Sequence, residues 1–209
     1  MIISGSFLKI QDEKEKIRKL SEACDQIHFD IMDGIFTENK TVDLEKLSKD
    51  GINKPIDVHL MVYDVKSYVD RVLKFNPKYI TFHIEINKKT EENINYIKSK
   101  NIKVGLAINP ETPIESIYKY LNMLDLVLIM SVHPGKGGQK FMDITDRIDK
   151  LVKYRDDNNL QYLIEVDGGI NSETIKKIKH SDIAVSGSFI TDSENYKEKV
   201  NELRRSLDE

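Results

Sequence analysis

Eight short apolar runs punctuate the chain, at residues 2–7, 26–31, 56–61, 79–84, 102–108, 126–130, 162–166 and 183–185. Between them apolar residues return every three or four positions, as Ile17 and Leu20 do, or Ile144, Ile148 and Leu151. That spacing is the mark of a helix with one buried face. It predicts helices over 13–22, 43–49, 65–75, 90–100, 114–121, 144–156, 172–179 and 194–207. Two starts carry their own signals: Ser172 with Glu173 in the first turn, and Pro113 after Thr112 at the first helical position. Eight strand and helix repeats in 209 residues predict a (β/α)8 barrel near its minimum size, with an open doubly wound sheet as the alternative. No Pro/Gly/Ser-rich linker or low-complexity tract interrupts the pattern, so residues 1–209 are expected to form a single barrel domain.

The second run is unusual for a buried strand. Side chains alternate faces along an extended segment, so His28, Asp30 and Met32 share one face while Phe29 and Ile31 take the other. The third run repeats the device with His59 and Met61 before a loop. Burying imidazoles and a carboxylate costs several kcal/mol unless they are paired, and a divalent metal is an economical partner. In a barrel the loops after the strands build the active site. His28, Asp30 and His59 would therefore meet Asp167, at the end of the seventh run, in a mixed nitrogen and oxygen set that suits Zn²⁺, Fe²⁺, Mn²⁺ or Co²⁺. Asp30 and Asp167 beside a metal also suit acid–base chemistry on a carbon acid; the plainer reading makes both of them ligands alone.

Other strand ends extend this picture. Met32, Met61 and Met130 each stand where a strand meets its loop, either filling gaps in the core or lining the site with polarisable sulfur. Gly135, Lys136, Gly137 and Gly138 follow the sixth run, Gly168 and Gly169 the seventh, and Gly187 and Ser188 the eighth. Backbone N–H groups in such loops approach an anion closely, which points to a phosphorylated substrate; the plainer reading makes these glycines turns alone. Residues 131–139 read as a lid, with glycine on both sides of Lys136. Asp57 and Glu165 fall one step deeper on their strands and are expected to be structural, paired with Lys103. His83 and Glu85 are expected to support the site, and His133 and His180 to lie on the surface.

Composition narrows the partners. Hydrophobic residues make up 39% and charged residues 32%, as in an ordinary globular protein. A net charge of −3 with lysines scattered among glutamates gives no field for nucleic acid. No apolar run approaches the roughly 20 residues that cross a bilayer. A single cysteine, Cys24, and a start without a charged leader fit a reducing cytoplasm.

Six ordered motifs resemble the ribulose-phosphate 3-epimerase family along nearly the whole chain. They are His28-Phe29-Asp30-Ile31-Met32-Asp33-Gly34, Asp57-Val58-His59-Leu60-Met61-Val62, Asn109-Pro110 with Thr112-Pro113, Met130 with 134–141, Glu165-Val166-Asp167-Gly168-Gly169-Ile170, and Ser186-Gly187-Ser188. The resemblance implies a metal-dependent inversion at C3 that interconverts D-ribulose 5-phosphate and D-xylulose 5-phosphate. It implies His28, Asp30, His59 and Asp167 as ligands of a divalent metal, Zn²⁺ or Fe²⁺ first, and Asp30 and Asp167 as proton acceptor and donor on opposite faces of the substrate. It further implies substrate contacts from Ser6, His59, Met32, Met61, Met130, Gly135 to Gly138, Asp167, Gly168, Gly169, Gly187 and Ser188, and a symmetric homo-oligomer. Gly5, Glu38 and Lys136 depart from the family pattern, which usually has proline, proline and an aromatic there. Lys136 would either reach a phosphate or alter the packing of the lid. Allulose-6-phosphate 3-epimerases share the same motifs, and a barrel that binds a sugar phosphate without turnover is the reading from another class.

Overall fold

The computed structural model describes residues 1–11, 13–41, 44, 49–86 and 89–208. Within them, parallel strands β1 (Ile2–Ser6), β2 (Gln26–Met32), β3 (Ile56–Met61), β4 (Tyr79–His83), β5 (Lys103–Ile108), β6 (Leu126–Met130), β7 (Leu163–Asp167) and β8 (Ile183–Ser186) pair in sequence order, and β8 closes onto β1. The expected (β/α)8 barrel is the observed one. Helices α1 (Lys14–Ala23), α2 (Val65–Val72), α3 (Thr90–Ser99), α4 (Thr145–Asp157), α5 (Ser188–Thr191) and α6 (Tyr196–Asp208) lie in the connections, together with 3-10 segments.

Alternation along each strand divides the core in two. Outward residues such as Phe29, Val58, Leu60, Phe82, Leu106, Ile129 and Val166 pack with helix residues Leu20, Val69, Ile94, Leu151 and Leu203. Inside the barrel, Tyr79, Leu126, Leu128, Met130, Val132 and Ile183 form a separate apolar wall, drawn mainly from β6. Facing them, β2, β3, β4 and β7 turn His28, Asp30, Asp57, His59, Thr81, His83 and Glu165 inward, all buried. Parallel register sets His28 opposite Asp57, Asp30 opposite His59, Met32 opposite Met61, and Met130 opposite Asp167. The polar half of the interior is therefore layered, with Asp57 and Glu165 below and Asp30 and Asp167 at the mouth.

At the other end of the barrel a recurring aspartate fixes the strands. Asp25, Asp125 and Asp182 each immediately precede a strand, and their carboxylates accept from the backbone N–H of Ile3, Val104 and Ile164 at 2.9, 2.9 and 2.8 Å. Arg204 donates to both oxygens of Asp25, and Arg155 donates to the same Asp182 Oδ2 that accepts from Ile164. These bonds satisfy N–H groups at strand starts, where the ladder has not begun.

Three sequence expectations change. The helix expected over 172–179 shrinks to a 3-10 segment, Ile175–Ile178, because the Asn171 side chain accepts from the N–H groups of Glu173 and Thr174 and diverts them into a turn. The stretch expected over 114–121 winds as a 3-10 helix, Ile114–Met123. Lys103 does not pair with Asp57 or Glu165: it is exposed at the start of β5, its ammonium over the Tyr79 ring. The helix expected over 43–49 lies outside the described residues except for Leu44 and Lys49.

Candidate active site

A cleft of about 820 Å³ opens at the C-terminal ends of the strands. Ser6, Asp30, Met61, Met130 and Asp167 form its floor, and Gly135 to Gly138, Gly168, Gly169, Gly187 and Ser188 its rim. His28 and His59 do not border it; they are fully buried directly beneath Asp30. Met32 ends β2 beside Met61 but lines a neighbouring recess with Asn39, Lys40 and Lys136.

Asp30 is the hub of the buried set. Its Oδ2 accepts from the Ser6 hydroxyl at 2.7 Å, while its Oδ1 lies 3.1 Å from His59 Nδ1 and 3.3 Å from His28 Nε2. The other nitrogen of His28 donates to Asp57 Oδ2 at 2.7 Å, and since a carboxylate only accepts, that proton belongs on Nδ1. His28 Nε2 is then left buried with no hydrogen-bond partner. One donor atom each from His28, Asp30, His59 and Asp167 lies within 4.8 Å of the others. An orphaned imidazole nitrogen aimed at a gap between two carboxylates is what a divalent cation would fill, so this set could hold a metal ion.

The electrostatics without a cation are uneven. Burial alone would raise the Asp30 carboxyl, but the positive charge of His28 beside it holds it well below the ordinary range. For Asp167 the balance runs the other way: burial and the charge of Asp30 outweigh His28 and the Gly168 N–H and push it up to about 7. His28 is raised despite burial, because Asp30 and Asp57 favour its charged form. Glu165 is pushed well up by burial and by Asp57, and both its oxygens lack partners. The pair expected to be structural thus sits under the cluster as counter-charge and lining.

On the rim, Gly168 and Gly169 take positive φ of 116° and 62°. A Cβ on Gly169 would come within 2.8 Å of the Phe141 backbone nitrogen, so only glycine lets this turn lie against the lid. The lid is pinned: Asn39 Nδ2 donates to Gly135 O at 2.7 Å, and Gln139 Nε2 to the carbonyls of His133 and Lys136. Lys136 lines the cleft with its ammonium 3.8 Å from Glu38. His133 and His180 lie at the surface, as expected.

Lys9 escaped the sequence reading, and the reading of His83 as a supporting residue left out its partners. Lys9 lines the cleft over Gly137 and Gly138 and pairs with Asp192 at 2.8 Å; a lone lysine after a strand carries no signal of its own. His83 does more than support: its Nε2 meets His59 Nε2 at 2.8 Å, and its Nδ1 meets Glu85 Oε2 at 3.0 Å. His83 at the end of its strand with Glu85 two residues on was the available clue.

Comparison with known proteins agrees with this geometry. The chain is 36% identical to the ribulose-phosphate 3-epimerase of Escherichia coli K12 over 214 residues, covering 99% of this chain and 93% of that one. It is 36% identical to the Helicobacter pylori J99 protein of the same name over 204 residues, covering 94% and 91%. In structure it resembles 3-hexulose-6-phosphate synthase from Salmonella typhimurium, with TM-score 0.71, 16% identity, and 99% and 98% of the two chains covered, a likeness of fold. Residues 1–191 match the family model described as the ribulose-phosphate 3 epimerase family, and the chain belongs to that family.

Proposed function

We propose that the chain is a metal-dependent 3-epimerase that interconverts D-ribulose 5-phosphate and D-xylulose 5-phosphate. The observation that carries the reading is the placement of Asp30 and Asp167 at one mouth of the barrel, with two imidazoles turned toward the same gap. Inversion at a carbon requires proton removal on one face and delivery on the other, so two groups must act. Their environments push their pKa values in opposite directions, which suits one ionised base and one proton carrier. In this scheme Asp30 takes the C3 proton, Asp167 returns one to the opposite face, and the roles exchange in the reverse direction.

His28, Asp30, His59 and Asp167 would hold the divalent cation, whose chemistry when bound is to polarise the substrate carbonyl and favour loss of the adjacent proton. Zn²⁺ and Fe²⁺ fit the donor set best, with Mn²⁺ and Co²⁺ also compatible. Ser6 orients the Asp30 carboxylate through its hydroxyl. Met61 and Met130 line the floor with groups that carry no exchangeable proton, and Met32 packs behind Met61. The phosphate is assigned to the backbone of Gly168, Gly169, Gly187 and Ser188, with Gly135 to Gly138 and Lys136 closing over it.

The test supplies the metal-loaded protein with D-ribulose 5-phosphate and, separately, D-allulose 6-phosphate in D₂O and follows deuterium at C3 by NMR. Deuterium entry with faster turnover of the pentulose is expected. Faster turnover of the hexulose would reassign the substrate, and no exchange with either sugar would sink the epimerase reading.

A further inference from the structure

Four side chains run in line below the cleft: Asp30, His59, His83 and Glu85. Asp30 Oδ1 meets His59 Nδ1 at 3.1 Å, His59 Nε2 meets His83 Nε2 at 2.8 Å, and His83 Nδ1 meets Glu85 Oε2 at 3.0 Å. Both rings are fully buried and stacked at 5.0 Å, and Phe36 lies against His83 at 4.7 Å. A neutral imidazole has one N–H and one lone pair, and a carboxylate has only lone pairs. Two neutral rings therefore bring two protons to three contacts. One contact is left with lone pairs facing each other, and a cation placed there would resolve it.

The far end of the line determines which contact that is. Glu85 Oε1 accepts from the Asn109 backbone N–H at 2.8 Å and from the Thr112 hydroxyl at 2.5 Å. Its Oε2 is the acceptor left for His83, so His83 carries its proton on Nδ1. His83 Nε2 is then a lone pair and takes the proton of His59 Nε2. His59 Nδ1 is left bare, facing Asp30 Oδ1, beside the partnerless His28 Nε2. We propose that Glu85, acting through His83, is a positioning residue that holds His59 in the tautomer whose Nδ1 lone pair faces the metal seat. The inference rests on the reading that a divalent cation binds there.

Glu85→Gln tests it by reversing the line. The Asn109 N–H must keep a carbonyl oxygen, so the new NH₂ group faces His83 and donates to its Nδ1. His83 then donates from Nε2 to His59 Nε2, and His59 donates from Nδ1 to Asp30. All three contacts acquire a proton with no cation present. We expect Zn²⁺ affinity, measured by competition with a chelating dye, to fall about 10- to 100-fold. The metal-free variant should melt no lower than metal-free wild type, which a merely structural glutamate would not allow. Nitrogen-15 histidine NMR should place the His59 proton on Nε2 in Zn²⁺-loaded wild type and on Nδ1 in metal-free Glu85→Gln. Thr112→Val removes a neighbouring partner of Glu85 without touching His83 and should bind Zn²⁺ like wild type.

Unchanged affinity in Glu85→Gln, an equal loss in Thr112→Val, or a His59 proton on Nδ1 in the loaded wild type would each overturn the proposal. A wild type that takes up no divalent cation would overturn the metal reading itself and this inference with it; uptake by wild type with normal binding by Glu85→Gln would overturn the inference alone.

Discussion

His28 is held between two carboxylates that ask different things of it. Asp57 takes the Nδ1 proton, and Asp30 draws Nε2 toward the gap at the cleft floor. Asp57→Ala should therefore weaken Zn²⁺ binding about 10- to 100-fold, as loss of a carboxylate behind a ligating histidine commonly does; a titration against a chelating dye checks it. Asp30→Asn and Asp167→Asn should each abolish turnover, and in metal-free form Asp167→Asn should melt no lower than wild type, because it removes a carboxylate that burial and Asp30 already disfavour. Circular dichroism melts beside the deuterium assay separate these outcomes.

The signs of the pH dependence also follow from these residues. Without a cation, His28 is raised in spite of burial, by Asp30 and Asp57. Its pairing contributes stability that is fully present below the unfolded value of about 6.5 and is lost as pH rises through the folded value. Asp30 is lowered, so its contribution is present above about 3.9 and is lost as pH falls toward its folded value. Metal binding must displace the proton from His28 Nε2, so affinity should move the other way and increase with pH. Calorimetric titration of Zn²⁺ in buffers of differing ionisation heat should show proton release; uptake would contradict the assignment of Nε2 as ligand.

At the scale of elements, the strands are anchored at one end and functional at the other. Asp125 accepts from Val104 N at the bottom of the barrel, and Asp125→Ala should cost about 1–3 kcal/mol, measured by urea unfolding, with little effect on the distant cleft. The lid is held from outside by Asn39. Asn39→Ala should raise KM for the sugar phosphate more than it lowers kcat, because it frees a closing segment without touching the floor. Strands were readable because inward and outward residues differ in kind: Phe29 and Ile31 against His28 and Asp30. The segment over 172–179 was not, since its outcome turned on whether Asn171 captured two backbone N–H groups, a local competition that hydrophobic spacing does not register. Four-residue α5 after Gly187 was too short to leave a periodic trace.

For the whole molecule, the barrel concentrates like charge. Asp30, Asp57, Glu165 and Asp167 converge from three strands around His28, and Lys103, the cation expected there, lies outside over Tyr79. A bound cation should therefore stabilise the fold as well as complete the site. Saturating Zn²⁺ at about 100 times Kd should add about 2.7 kcal/mol, read as a rise in melting temperature that EDTA reverses.

The eightfold alternation, the barrel, and the identity of the groups at the strand ends are legible in the chain alone, because strand alternation and loop chemistry are local properties written residue by residue. It also marked His28, Asp30, His59 and Asp167 as one set, since each ends or nearly ends a strand. The partnerships emerge on folding: Asp57 faces His28 and not Lys103, Met32 looks into a neighbouring recess, Lys9 reaches over the lid glycines, and Glu85 reaches His59 through His83. Those depend on register between strands and on the curvature of a closed sheet, which fix distances among residues far apart in the chain and leave no periodic signature within it.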